Sequence, residues 1–281
     1  MKIGYQGTDG AYSHIASQIL SPNSSYIGFY DFFDAFAALN QQTVDKIVIP
    51  IENSYAGRVA DVHRLIAKNN IYFEAEYILK IQHQLLANHA TKPQDITEIL
   101  SHEQAIMQCQ DNLKRIFATT TPKLIPVNDT ADAAKRLMQS NNTTSAVIAS
   151  SLSAKIYNLQ IIHPDIQDAQ DNFTNFILMS KKPSNHPFQN NKNYITSLIF
   201  AIDNKSGGLA KILNILCDHN IDLLKIESYI PGGVKSHKAE FFISCSGHTQ
   251  DPNLSIAMPK LHASCLDVKL FGSYLADEKR L

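Results

Sequence analysis

The stretch Ile3-Gly4-Tyr5-Gln6-Gly7-Thr8-Asp9-Gly10-Ala11-Tyr12-Ser13 decides how the chain is read. A short strand-like run enters a polar turn bounded by glycines and leaves it with helical spacing, which predicts a strand over 3–6 and a helix over 11–20. The same alternation continues downstream. Strand-like runs at 25–30 and 46–51 alternate with helical stretches at 32–41 and 58–68, the last with Val59, Val62, Leu65 and Ile66 on one face. Such a rhythm means parallel strands joined by crossover helices. Two extended stretches cover 71–87. The alternation then resumes with strands at 96–100, 123–127 and 145–149, helices at 103–117 and 130–138, and a short helix through Tyr157. A last apolar strand covers 173–179.

A polar, proline-bearing break at 181–193 reads as a linker. Beyond it the order changes to strand 194–202, helix 208–219, strand 222–230, strand 238–245, helix 252–265 and strand 268–274. This β-α-β-β-α-β order is that of a ferredoxin-like module. The fold class expected is therefore α/β throughout, with a parallel-sheet region followed by a ferredoxin-like region.

Composition narrows the function classes. At 281 residues the chain suits two domains, and 44% hydrophobic residues supply ample core. Lys+Arg 25 against Asp+Glu 26 gives a net charge of -1, so no global field holds nucleic acid or an anionic membrane. No apolar run reaches the roughly 20 residues that span a bilayer. Met1-Lys2-Ile3-Gly4-Tyr5 leads into a strand without the apolar core of a signal peptide, so a cytoplasmic location is expected. Cys109, Cys217, Cys245 and Cys265 are dispersed, and no histidine pair has metal-ligand spacing, so neither a metal nor a disulfide framework is expected.

Three strand-to-helix turns hold dense polar clusters: the quoted 6–13, then Glu52-Asn53-Ser54-Tyr55-Ala56-Gly57, then Ser101-His102-Glu103-Gln104. Two accounts compete. Asp9, Ser54 and Ser101 are residue types that cap helix N-termini. Turns at the carboxyl ends of parallel strands also form anion-binding clefts, because the N–H groups of the following helices point outward.

In order and spacing, Gln6-Gly7 with Gly10-Ala11-Tyr12-Ser13, Pro50-Ile51-Glu52-Asn53-Ser54 with Ala56-Gly57, and Ser101-His102-x-Gln104 resemble the prephenate dehydratases. Ile148-Ala149-Ser150-Ser151 and Thr174-x-Phe176 extend the resemblance to about residue 181. Past the linker, Gly207-Gly208-Leu209 and Glu227-Ser228-Tyr229 resemble the family's regulatory ACT domain.

The resemblance implies a catalytic domain over 1–181, built as two α/β lobes like a periplasmic binding protein (1–76 with 170–181, and 77–169). A linker over 182–193 and an ACT domain over 194–275 follow. It also implies a reaction. Prephenate, a dicarboxylate cyclohexadienol, loses CO2 and its ring hydroxide to give phenylpyruvate on the way to phenylalanine. Aromatisation drives the step, so no cofactor is expected. By resemblance Thr174 is the catalytic group beside the leaving hydroxyl, a positioned donor whose hydrogen bond strengthens as hydroxide departs. Asn53 and Gln104 match positions that hold substrate, Ser54 and Ser101 are second choices, and Tyr12 and Phe176 complete the wall. His102 is read as a hydrogen-bonding spacer.

One position departs from the family pattern. Asn175, counted by resemblance among the substrate-binding positions, stands where the family usually has arginine, which removes a bidentate carboxylate grip. Arg58, expected in the first turn of a helix where the dipole disfavours a cation, is read as reaching the cleft in its place, with a solvated side chain or an ion pair to Asp61 as the competing outcomes. In the C-terminal module, Gly207, Gly208, Leu209, Glu227 and Ser228 are expected to bind phenylalanine, the feedback inhibitor, between paired domains of a homodimer or homotetramer. The rival readings are an arogenate dehydratase, acting on the amino analogue, and a non-catalytic amino-acid sensor. A plain solute-binding protein conflicts with the absent signal peptide.

Overall fold

The computed structural model describes residues 1–184, 188–229 and 237–280. Positions 185–187 of the expected linker and the last residue of the strand expected over 222–230 lie outside the described residues. The chain forms two compact units, one of 1–65 with 77–176 and one of 66–76 with the chain from 177 onward.

The first unit contains two lobes. In the first lobe β1 (Lys2–Gln6), α1 (Tyr12–Leu20), β2 (Ser25–Phe29), α2 (Phe32–Asn40) and β3 (Lys46–Asn53) follow the expected alternation. Both β2 and β3 pair with β1 in parallel. Ile3, Tyr5, Ile47, Val48 and Ile49 are fully buried, so these short apolar runs form the centre of the sheet. A two-residue β4 (Gly57–Arg58) folds back on β3, and α3 (Ala60–Lys68) follows. The expected helix over 58–68 thus starts later, and Arg58 is in a strand rather than a first helical turn. Gly57, at φ +73, makes the reversal that forms the strand pair.

After β5 (Tyr72–Lys80), the second lobe contains β6 (Gln84–Ala87), β7 (Glu98–His102), α4 (Glu103–Met107), α5 (Gln110–Ile116), β8 (Lys123–Val127), α6 (Thr130–Ser140), β9 (Ser145–Ala149), α7 (Ser151–Ile156) and β10 (Gln160–His163). Its sheet runs β10-β6-β9-β7-β8. Along β9, Ala146 and Ile148 join one apolar cluster while Val147 and Ala149 join another, so both faces are covered. The single helix expected over 103–117 is broken. The Asp168 carboxylate accepts from the N–H groups of Asp111 and Asn112 at 3.0 and 2.8 Å, which caps α5 separately. Gln108 lies at that break.

The lobes meet at the turn quoted first. The carbonyl of Gly10 accepts from the Ser150 and Ser153 hydroxyls at 2.6 and 3.1 Å, and that of Asp9 from the Tyr157 hydroxyl at 2.7 Å. Gly10 has φ +94, and a Cβ there would lie 2.5 Å from Ser153 Oγ and 2.9 Å from Ser153 Cα. Only glycine fits this approach. Gly10→Ala should destabilise the fold by about 1–3 kcal/mol, the usual cost of overpacking, read as a lower denaturant midpoint.

The chain returns through β11 (Phe173–Ser180) and enters β12 (Tyr194–Asp203), α8 (Gly208–Asp218), β13 (Leu223–Tyr229), β14 (Lys238–Ser246), α9 (Pro252–Ser264) and β15 (Asp267–Leu275). The strands β12 to β15 form an antiparallel sheet in the order β13-β14-β12-β15. Leu198, Phe200, Phe241 and Ile243 pack on Ile212 and Leu216 of α8 and Leu254 and Leu261 of α9. Aromatic side chains fill the rest of the core. Phe73 stacks on Phe271 at 5.0 Å between ring centroids and approaches Phe242 and Tyr274. Arg280 grips the fully buried Glu76 carboxylate at 2.9 and 2.8 Å. Lys269 donates to the carbonyls of Ile66, Ala67 and Asn69, the electronegative end of α3. These contacts group 66–76 with the C-terminal module, a segment that the sequence reading gave to the first lobe.

Candidate active site

A cavity of about 510 Å³ lies in the first unit, lined from one lobe by Gln6, Tyr12, Asn53, Arg58, Thr174 and Phe176. His83, His102, Gln104, Gln108 and Asp129 line it from the other. A neighbouring space of about 480 Å³ shares Ala56, Gln104 and Gln108 with it and reaches Tyr55, Met107 and Asn172.

Thr174 and Phe176 project from β11 into the main cavity, and Asn175 between them does not line it. Strand alternation puts position 175 on the opposite face. The expectation that Asn175 contributes to substrate binding is corrected on this ground. Ser101 is also corrected: it is fully buried and donates to the Ile148 carbonyl at 2.7 Å. Ser54 lines neither space. Its hydroxyl donates to the Asp171 carbonyl at 3.1 Å and accepts from the Phe173 N–H at 3.0 Å, fixing the start of β11 beside the β3 turn. Arg58 lines the cavity from β4, and Asp61 pairs with Arg64 at 3.8 Å.

None of the three suggested caps acts as one. Asp9 accepts a hydrogen bond from the Tyr5 hydroxyl, and α4 is capped by His102, whose Nδ1 accepts from the Gln104 N–H at 3.2 Å. Helix α1 starts at Ala11 without a side-chain cap. The Ala11 N–H is taken by the Thr8 carbonyl at 2.9 Å, and Tyr12 and Ser13, which follow it and line the cavity, bring the backbone donors and partial positive charge of the helix start to an anion there.

Thr174 Oγ1 accepts from Asn53 Nδ2 at 2.9 Å. The same amide nitrogen donates to Asn172 Oδ1 at 2.8 Å, and Asn172 Nδ2 donates to Gln108 Oε1 at 2.9 Å. His83 meets Gln108 Oε1 through Nε2 at 3.0 Å and the Tyr12 hydroxyl through Nδ1 at 2.8 Å. His83, Gln108 and Asn172 escaped the sequence reading. A histidine opening the apolar run His83-Gln84-Leu85-Leu86-Ala87 was the available signal, and nothing local marked the other two.

Burial lowers the His83 imidazole below its ordinary value, against its opposing hydrogen bond to Gln108 Oε1, and keeps the Tyr12 phenol protonated. Burial lowers His14 as well, against an opposing Asp9 charge. Just below about pH 6.5 the unfolded chain therefore binds more protons than the folded one, and stability falls as pH drops through that window. The melting temperature should decline from about pH 7 to about pH 5, with a flatter slope in His83→Asn. A flat profile in the wild type would contradict the buried neutral imidazoles.

The family model for prephenate dehydratase matches residues 3–184. The chain belongs to the prephenate dehydratase family. It is 32% identical over its full length to arogenate dehydratase/prephenate dehydratase 2 of Arabidopsis thaliana, covering 74% of that protein. A solved structure described as GqqA, a novel type of quorum quenching acylase, is 27% identical with TM-score 0.90 and full coverage of both chains. The prephenate dehydratase of Arthrobacter aurescens, solved with L-Phe, matches this fold at 24% identity and TM-score 0.89, over 100% of this chain and 91% of the other. Members of the prephenate dehydratase family are lyases of aromatic amino-acid biosynthesis. Among the described residues no helix is long and apolar enough to cross a membrane.

Proposed function

We propose that this chain converts prephenate to phenylpyruvate, CO2 and water, and that Thr174 is its catalytic residue. The observation that carries the reading is the Thr174 hydroxyl in the cavity, its oxygen taken by Asn53 Nδ2. An oxygen engaged in that way leaves its own proton for a group in the cavity. As the carboxylate carbon–carbon bond breaks, its electrons enter the ring and expel the hydroxyl. One proton is taken up and hydroxide leaves as water, with the Thr174 donor stabilising the charge as it forms. Arg58 and the start of α1 are the groups for the substrate carboxylates, with Asn53, Gln104, Tyr12 and Phe176 shaping the wall.

Arogenate is the second substrate to test, because the Arabidopsis relative carries both activities in its name. Incubation with each substrate, following phenylpyruvate by absorbance and phenylalanine by chromatography, decides between them. Turnover of neither overturns the dehydratase reading and leaves a non-catalytic sensor. An N-acyl-homoserine lactone belongs in the same assay as a control, because a relative 27% identical over 99% of this chain, from Komagataeibacter europaeus, is named a bifunctional N-acyl-homoserine lactone acylase/prephenate dehydratase. Both nitrogens of His83 are engaged, and His102 Nδ1 caps α4, so neither imidazole is placed as a free base for amide hydrolysis.

The proposal includes the domain plan of a catalytic region over 1–181, a linker over 182–193 and an ACT domain over 194–275, a cytoplasmic location, and a homodimer or homotetramer inhibited by phenylalanine. Both β12 and β13 are antiparallel to β14, so their C-terminal ends lie at the same end of that sheet. Gly207-Gly208-Leu209 follows the first and Glu227-Ser228 ends the second, which supports one amino-acid site. Gly207 has φ +79 and starts α8. Calorimetry with phenylalanine on the full chain tests this. The full chain is needed because Phe73 and Glu76 have their partners after residue 193. Absence of heat would remove phenylalanine as the ligand.

A further inference from the structure

The hydrogen bonds around Asn53 have a direction that can be worked out from one end. Asn53 Oδ1 accepts from the backbone N–H groups of Tyr55 and Ala56 at 3.0 and 2.9 Å. Backbone N–H groups only donate, so the orientation of this amide is fixed without choice. Its Nδ2 must then face Thr174 and Asn172. Asn172 must answer with Oδ1, which turns its Nδ2 to Gln108. Gln108 must present Oε1, and the His83 nitrogen that meets it must carry a proton. A neutral His83 with its proton on Nε2 has a bare Nδ1, and that atom, at 2.8 Å, shares the single Tyr12 hydroxyl proton with the Gln82 carbonyl at 2.9 Å.

We infer that Asn172 and Gln108 are positioning residues that, with Asn53, hold His83 as its Nε2–H tautomer and aim the Thr174 proton into the cavity. Amides neither take up nor release protons near neutrality, so the chain sets direction and transports nothing. Asn172 lies outside the main cavity lining and acts through its neighbours. His83, at the far end, reports the polarity of the whole chain. The inference rests on the dehydratase reading only for its effect on rate; the tautomer is a separate observable.

The test measures the ring-nitrogen 15N signals of His83 by NMR, assigned by their loss in His83→Asn, together with kcat and KM for prephenate and arogenate. In the wild type Nε2 should be protonated and Nδ1 bare. Asn172→Leu breaks the chain and should lower kcat by about ten- to a hundred-fold, the scale of a slightly misplaced reacting group, with KM changed less than about three-fold. Asn172→Asp still accepts from Asn53 but cannot donate to Gln108. The Gln108 amide must then turn over, which moves the His83 proton to Nδ1 while kcat stays within about five-fold of wild type. A structural role alone would not separate those two readouts. A wild-type His83 protonated on Nδ1, or an Asn172→Leu enzyme with unchanged kcat, overturns the inference. If Asn172→Leu does not fold, the wild-type tautomer still decides. Failure of the wild type to turn over either substrate overturns the dehydratase reading, and the tautomer then decides the chain by itself.

Discussion

Thr174→Ala should lower kcat by about two to three powers of ten, the usual loss when one preorganised transition-state donor is removed. The hydroxyl projects into the cavity from β11, and the one described partner of its oxygen is Asn53 Nδ2, a donor. Its remaining capacity is to donate. That interaction is weak in the ground state, where the leaving group is a neutral hydroxyl, and strong as hydroxide forms. KM should therefore change by less than about three-fold, because the carboxylates are held by other groups. Folding should suffer little, about 1 kcal/mol, since Asn53 Nδ2 keeps Asn172 Oδ1 and the Phe173 carbonyl as acceptors. Thr174→Ser retains the hydroxyl and should recover most of the rate. An alanine variant with wild-type turnover and an unchanged melting curve would remove Thr174 from the mechanism.

Arg58→Ala should raise KM by about thirty-fold or more, near 2 kcal/mol, with a smaller change in kcat. Among the described residues lining the cavity Arg58 carries the fixed positive charge, and a dicarboxylate that closes off solvent there makes the interaction stronger than a surface ion pair. Arg58→Lys should recover only part of the affinity, because a lysine lacks the planar fork that matches a carboxylate. Position 175 behaves differently. A direct replacement would predict that Asn175→Arg rescues Arg58→Ala. Position 175 faces away from the cavity and is 8% exposed, so the double variant should keep the raised KM and lose stability from a buried charge. Steady-state kinetics and melting curves on the single and double variants check both statements. Unchanged KM in Arg58→Ala would leave the carboxylates to the start of α1 and the polar wall.

Local sequence carried much of the fold because local patterns cause it. Alternating apolar strands and amphipathic helices place β1, α1, β2, α2 and β3 within a few residues of expectation, and the order after the linker gives the four-strand C-terminal sheet. Thr174, Asn53 and Gln104, picked out by motif order, line one cavity, and Arg58 lines it too, although it was picked out for a helical first turn and lies in a strand. The misses have physical causes. Helix α5 is separate because Asp168, distant in sequence, caps it. Ser101 has a capping side chain, yet burial beside β9 gives its hydroxyl the Ile148 carbonyl instead. Segment 66–76 reads as ordinary α/β chain, and its grouping with the C-terminal module depends on Phe271, Lys269 and Arg280.

By itself the sequence determined what nearest neighbours and periodicity determine: the element types, the parallel and antiparallel regions, and the family through ordered motifs. Tertiary structure decided which face each side chain takes and which distant group answers it. Strand alternation turned Asn175 away from the cavity, a two-residue strand carried Arg58 to its wall, and the Asn53 turn set the direction of hydrogen bonds through Asn172 and Gln108 to His83. Hydrogen-bond direction is a property of pairs of groups far apart in the chain, so no local pattern encodes it; it exists only when folding brings a donor and an acceptor within about 3 Å.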